Sequence, residues 1–163
     1  MIYLAALTFA QLSLTEMDGA PATIETRVAP ATAVVFVSTV CPVSNEYEER
    51  YQRLFRDFSR RGVRFVFVYA NRTETATEVA AHAAGLRHPL PVYRDQSGSA
   101  VESLGPEFTP TAVVIDRSGA VRYRGRIDDS VNPARVKDRS LEKALKAVLA
   151  GRAVAIPETK AFG

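Results

Sequence analysis

Residues 33–45 read AVVFVSTVCPVSN, and the fold follows from them. Ala33-Val34-Val35-Phe36-Val37 is a continuous apolar run, as expected of a strand covered on both faces. After Cys41 comes Pro42, a residue suited to the first turn of a helix, where its missing N–H would have had no partner anyway. Over residues 45–61 the apolar Tyr47, Tyr51, Leu54, Phe55 and Phe58 recur at helical spacing, and Gly62 stands where a helix-ending glycine belongs. Residues 63–69 read as a second buried strand. Strand, helix and strand in such a short span form a βαβ unit with two parallel strands and a right-handed crossover.

Working outward, residues 12–24 predict a hairpin turning at Met17-Asp18-Gly19. A helix is expected over residues 74–84, with Thr73 as its N-cap and Gly85 at its end, followed by a short strand at Val92-Tyr93 and a brief helix at residues 99–104. Residues 111–115 and 121–124 predict a second hairpin. An apolar stripe of Leu141, Ala144, Leu145, Val148 and Leu149 marks a last helix over residues 139–150. The expected class is α/β: a central mixed sheet flanked by helices, with an N-terminal β-hairpin.

The 163 residues, 47% hydrophobic and 24% charged, suit one domain, expected at residues 12–150. Residues 151–163 read as an extended tail that packs on the surface or frays. Residues 1–11 read either as the remnant of a signal segment or as an N-terminal strand; Thr8-Phe9-Ala10 has a small-residue pattern like that before a signal-peptidase cut, but no basic residues precede it. The apolar segment is far shorter than the ~20 residues that span a bilayer. A periplasmic or secreted location follows from the first reading and a cytoplasmic one from the second.

The charge is modest, 21 Lys plus Arg against 18 Asp plus Glu, which argues against a nucleic-acid partner unless the bases cluster. Arg50, Arg53, Arg56, Arg60, Arg61 and Arg64 are close in sequence, but Glu46, Glu48, Glu49 and Asp57 interleave with them, so they read as a solvated helix face rather than a surface for an anionic partner. One cysteine excludes a disulfide within the chain, and with only two histidines it excludes the common cysteine-rich zinc modules.

That cysteine lies at the strand-to-helix junction, where free amides of a first helical turn favour a side-chain anion. A thiolate held there is a nucleophile; the competing reading is a small buried hydrophobe. Ser44, three residues on, either donates its hydroxyl to the sulfur or simply caps the helix. Phe108-Thr109-Pro110-Thr111 puts a proline at the mouth of a strand, a place where cis peptides occur. His82 and His88 read as surface or packing residues, and Asp128 and Asp129 as ion-pair partners for Arg124 or Arg126.

Together these pieces resemble the thioredoxin fold over residues 12–150. The Cys41-Pro42-Val43-Ser44-Asn45 run and the Tyr123-Arg124-Gly125-Arg126-Ile127-Asp128-Asp129 run resemble the redoxin group, proteins related to the alkyl hydroperoxide reductase and thiol-specific antioxidant family. The resemblance implies that Cys41 is the attacking cysteine and Pro110 a cis-proline, with Thr109 pairing with a bound peptide or thiol and Pro42 beside it.

The departures narrow this expectation. A dithiol site of thioredoxin type has cysteine at position 44 and usually tryptophan at 40, where this chain has Ser44 and Val40. Peroxiredoxins place Thr or Ser three residues before the cysteine, where Ser38 stands, and proline seven before, where Val34 stands. Their supporting arginine has no motif here, leaving Arg94, Arg124 and Arg126 as candidates. Asn45 occupies the second cysteine position of the copper-binding relatives. Many members of the resembled group carry a further cysteine just beyond a segment like residues 158–163.

The expected function is thiol-dependent oxidoreduction. Cys41 attacks a disulfide or a peroxide, Ser44 or Ser38 donates to the developing anion, and an external thiol reductant or a partner protein's disulfide completes the exchange. No cofactor and no metal are expected. The alternative is a redox-inert binding domain that keeps the fold.

Overall fold

The computed structural model describes residues 9–163; the readings placed on residues 1–8 fall outside them. A single seven-stranded sheet runs in the order β2-β1-β5-β4-β3-β6-β7. In chain order its strands are β1 (Gln11–Thr15), β2 (Pro21–Glu25), β3 (Ala31–Val37), β4 (Val63–Tyr69), β5 (Val92–Arg94), β6 (Thr111–Asp116) and β7 (Val121–Gly125). The helices are α1 (Pro42–Glu46), α2 (Glu48–Ser59), α3 (Ala76–Gly85), α4 (Ser99–Leu104) and α5 (Ser140–Leu149).

β3 is parallel to β4 and antiparallel to β6, so the sheet is mixed, and β3 lies near its middle. All seven residues of β3 are buried because both faces are covered. Its Ala31, Ala33, Val35 and Val37 face Tyr51, Leu54 and Phe58 of α2 and Leu141, Ala144 and Leu145 of α5. Its Val34 and Phe36 point the other way, into a second cluster with Leu12, Leu14 and Ile24 of the first hairpin and Ala100 and Leu104 of α4. The period-two alternation of a strand thus feeds two cores from one apolar run, each large side chain contributing about 1.5–3 kcal/mol of burial.

Two helices differ from expectation. The helix over residues 45–61 is divided: α1 ends at Glu46, and Tyr47 joins it to α2. Apolar spacing carries no mark of that break, because Tyr47 is buried and stacks on Tyr51 across it. The helix expected over residues 74–84 begins later, with Thr75 rather than Thr73 as N-cap. Thr75 and Glu78 satisfy each other's backbone amides at 2.7 and 3.2 Å, the reciprocal arrangement that a Thr-x-x-Glu spacing permits. Thr73 instead turns back to Asn71.

The tail is docked at its far end. Thr159 N–H donates to the carbonyl of Arg124 at 3.1 Å, and Arg124 N–H donates to that of Pro157 at 2.9 Å. Gly125, at φ +153°, makes the approach possible: a Cβ there would lie 2.1 Å from Thr159 Oγ1.

Candidate functional site

Cys41 is the N-cap of α1, partly exposed, just beyond the C-terminal end of β3. Its thiol donates to the carbonyl of Thr109 at 3.2 Å, and its Sγ accepts from the backbone N–H of Ser44 at 3.5 Å. The Thr109–Pro110 peptide is cis. The β3–α1 loop and the loop leading into β6 therefore meet at the sulfur, joining Cys41 to Thr109 and Pro110 as the sequence reading paired them.

The hydroxyls of the two expected donors are engaged elsewhere. Ser44 Oγ accepts from Ser38 N–H at 3.3 Å and lies 3.4 Å from the Tyr51 hydroxyl. Ser38 Oγ donates to Glu74 at 2.6 Å and accepts from Val40 N–H at 3.3 Å. Ser44 meets the sulfur through its main chain, and Ser38 braces the loop. The amide field at Cys41 is that of a five-residue helix, so the direct Ser44 N–H contact counts for more than a long macrodipole.

Glu74, which the sequence reading did not mark, and Asn45 of the Cys41–Asn45 run support this loop. Glu74 Oε1 also accepts from Thr39 N–H at 2.6 Å and Thr39 Oγ1 at 2.9 Å. Asn45 Nδ2 donates to the carbonyl of Thr39 at 3.0 Å, while its Oδ1 lies 2.9 Å from His82 Nε2, whose Nδ1 meets the Tyr69 hydroxyl at 2.7 Å. Asn45 Oδ1 only accepts, so His82 carries its proton on Nε2. Burial raises the Tyr69 phenol well above its ordinary value, leaving it protonated and able to donate to His82. His82, expected as a surface or packing residue, ties α3 to α1. His88 is exposed, with its carbonyl accepting from Gln52.

The ion pairs expected for Asp128 and Asp129 are different ones. Asp128 pairs with Arg50 at 2.8 Å rather than with Arg124 or Arg126, and also accepts from the Tyr47 hydroxyl at 2.6 Å. Burial, then the Asp128 bond, pushes the Tyr47 phenol up. Arg50 Cζ lies 3.6 Å above the Tyr47 ring, and its Nη atoms donate to the carbonyls of Ser130 and Val131. This cluster fastens the α1–α2 break to the segment after β7. Arg124 pairs with Glu158, Arg126 with Asp138, and Asp129 accepts from Lys137 N–H. Of the charged face on α2, Arg53 pairs with Glu142 and Arg56 with Asp57.

Beside the site lies a cleft of about 380 Å³, bounded among others by Phe36, Ser38, Asn71, Phe108, Thr109 and Gly163. Val40 and Phe108, 68% and 41% exposed, leave apolar surface on the two loops that meet at Cys41. Among the described residues, no group of three His, Cys, Asp or Glu could hold a metal ion. Among them, too, no helix is long and apolar enough to cross a membrane.

The family model described as Redoxin matches residues 5–145. Among solved structures, a hypothetical protein from Sinorhizobium meliloti 1021 is 26% identical, covering 100% of this chain and 93% of its own, with a TM-score of 0.83. An uncharacterized conserved protein from Geobacillus kaustophilus is 27% identical over 98% of this chain and 88% of its own, with a TM-score of 0.81. A thiol:disulfide interchange protein of the thioredoxin family from Chlorobium tepidum TLS is 21% identical over 91% and 99%, with a TM-score of 0.65, and shares the fold. No curated protein gives a significant match.

Proposed function

Since the chain belongs to the Redoxin family, whose membership supports a thiol-redox function in general, we propose that it is a thiol-disulfide oxidoreductase working through Cys41 alone. The observation that carries this reading is the placement of the one cysteine: partly exposed, with Ser44 N–H directed at its sulfur and the Thr109 carbonyl 3.2 Å away.

In the exchange, the Cys41 proton leaves to solvent and the thiolate attacks one sulfur of a partner disulfide. The new Sγ–S bond forms as the partner's S–S bond breaks, and the second partner sulfur departs as a thiolate. Ser44 N–H steadies the anion before attack. Once the thiol proton is gone, the Thr109 carbonyl can accept from the backbone of an incoming chain, which enters by displacing Gly163, now so near that a Cβ on it would lie 2.0 Å from the carbonyl oxygen. With one cysteine in the sequence, an external thiol must attack the mixed disulfide to release Cys41.

Disulfides are favoured over peroxides because the Ser38 hydroxyl, in the position of the peroxidase-type donor, is committed to Glu74. The test is parallel exposure of the folded protein to a disulfide-bonded peptide and to hydrogen peroxide, read by intact mass. A peptide adduct on Cys41 is expected, with no sulfenic acid at modest peroxide. Rapid sulfenic acid formation without adduct overturns the disulfide assignment. Slow labelling by both, no faster than in the unfolded chain, favours the redox-inert binding domain.

A further inference from the structure

We propose that Glu74 is a positioning residue for exchange at Cys41, an inference that rests on the thiol-redox reading above. Glu74 stands between β4 and α3, 6% exposed, and all its side-chain hydrogen bonds go to the two residues that follow β3. Three donors converge on Oε1: the Ser38 hydroxyl, the Thr39 amide and the Thr39 hydroxyl. Oε2 is buried with no hydrogen-bond partner.

Removing a carboxylate from water is costly, and leaving one of its oxygens unpaired adds to the cost. A fold seldom retains a buried, partly unpaired side chain in a loop unless the site has a functional reason to be rigid. The segment that Glu74 rigidifies is the one that leads to the sulfur. Ser38, held by Glu74, in turn accepts from Val40 N–H and donates its own N–H to Ser44 Oγ, so the bonds run from Glu74 through Ser38 to both neighbours of the Cys41 turn.

The geometry that results is the one exchange requires. Attack on a disulfide needs the thiolate in line with the S–S bond, and misplacement by about 1 Å at a reacting atom costs up to 100-fold in rate. Asn45 bonds the Thr39 carbonyl from the opposite side, so Thr39 is gripped at its amide, hydroxyl and carbonyl. Residue 39 is fixed, with Val40 exposed beyond it and Cys41 turned onto the Thr109 carbonyl.

The experiment measures the second-order rate of Cys41 with 5,5′-dithiobis(2-nitrobenzoate), one thionitrobenzoate released per mixed disulfide formed, in chains shown by circular dichroism to be folded. Glu74→Ala is expected to slow it about 10-fold or more. Glu74→Gln, which keeps an acceptor oxygen for the same donors, is expected to recover most of the loss. If both folded variants react at the wild-type rate and only their melting temperatures move, Glu74 is structural and the inference is overturned. Should Glu74→Ala not fold, Ser38→Ala decides: a drop of about threefold or more supports the positioning role, and an unchanged rate overturns it. A wild-type Cys41 no more reactive than that of the chain unfolded in guanidinium removes the thiol-redox reading itself, an outcome distinct from a fast wild type with equally fast variants.

Discussion

Substituting Asp128 by alanine tests how the Cys41 helix is held against the rest of the molecule. The change removes the acceptor of Tyr47 Oη at 2.6 Å, of Arg50 Nη1 at 2.8 and 2.9 Å, and of Ser130 N–H at 3.3 Å. It leaves Arg50, 8% exposed and with its Nε already unpartnered, as a buried charge bound only to the Ser130 and Val131 carbonyls. Breaking a buried pair from one side costs about 3–5 kcal/mol, and the stranded Tyr47 hydroxyl is part of that figure rather than an addition to it. Against a total stability of roughly 5–15 kcal/mol, the variant should be folded but far less stable. Urea titration followed by far-ultraviolet circular dichroism reads the difference. The double variant Arg50→Met, Asp128→Leu should recover much of the loss, since apolar replacement of both partners avoids the stranded charge. A loss below about 1 kcal/mol for Asp128→Ala would refute the claim that this cluster fastens the α1–α2 break.

Three further outcomes follow from other parts of the molecule. Lys143, Ser140 and then Arg126 hold the Asp138 carboxyl down at about 2, so its stabilisation is present above the ordinary carboxylate range and is lost as pH falls through about 4 toward 2. Asp138→Asn should therefore cost about 1 kcal/mol at neutral pH, after allowance for solvent screening, and progressively less as pH falls through about 2; an undiminished cost at the acid end would contradict the assignment. Gly125→Ala should expel the tail, because its Cβ would sit 2.1 Å from Thr159 Oγ1, and trypsin should then cut at Lys160 sooner than in the wild type; unchanged cleavage kinetics would contradict the docking. His82→Ala should cost about 1–2 kcal/mol by stranding the Tyr69 hydroxyl, measured by thermal or urea unfolding, and an effect within error would deny that bond a structural role.

The fold was legible because β3 and β4 are apolar on both faces, which only a central position in a covered sheet explains, and because glycine and proline mark the turns around them. The α1–α2 break was not legible: Tyr47 keeps the apolar spacing of one continuous helix, and Asp128, which holds the Tyr47 hydroxyl at the break, lies 81 residues away. At the site, local chemistry marked Cys41 at a strand-to-helix junction and Pro110 at the mouth of a strand, and the resemblance to the thioredoxin fold paired them. The direction of the Ser38 and Ser44 hydroxyls could not, because it depends on Glu74 and Tyr51, 36 and 7 residues along the chain. Glu74 itself looked like the first residue of a helix, since a loop carboxylate has no periodicity to betray that it points inward. Arg50 was hidden in a helix of alternating charges whose other arginines do face solvent or surface acids.

If Cys41 begins a disulfide exchange that an external thiol finishes, the lifetime of its mixed disulfide is set by that thiol. The folded protein is treated with oxidised glutathione, freed of excess reagent, and followed by intact mass before and after addition of reduced glutathione. One glutathione adduct should form on Cys41, persist while no thiol is present, and disappear on adding the thiol, with Cys41→Ser giving no adduct. An adduct that fails to form on the folded chain, or that is lost with no thiol added, contradicts the account.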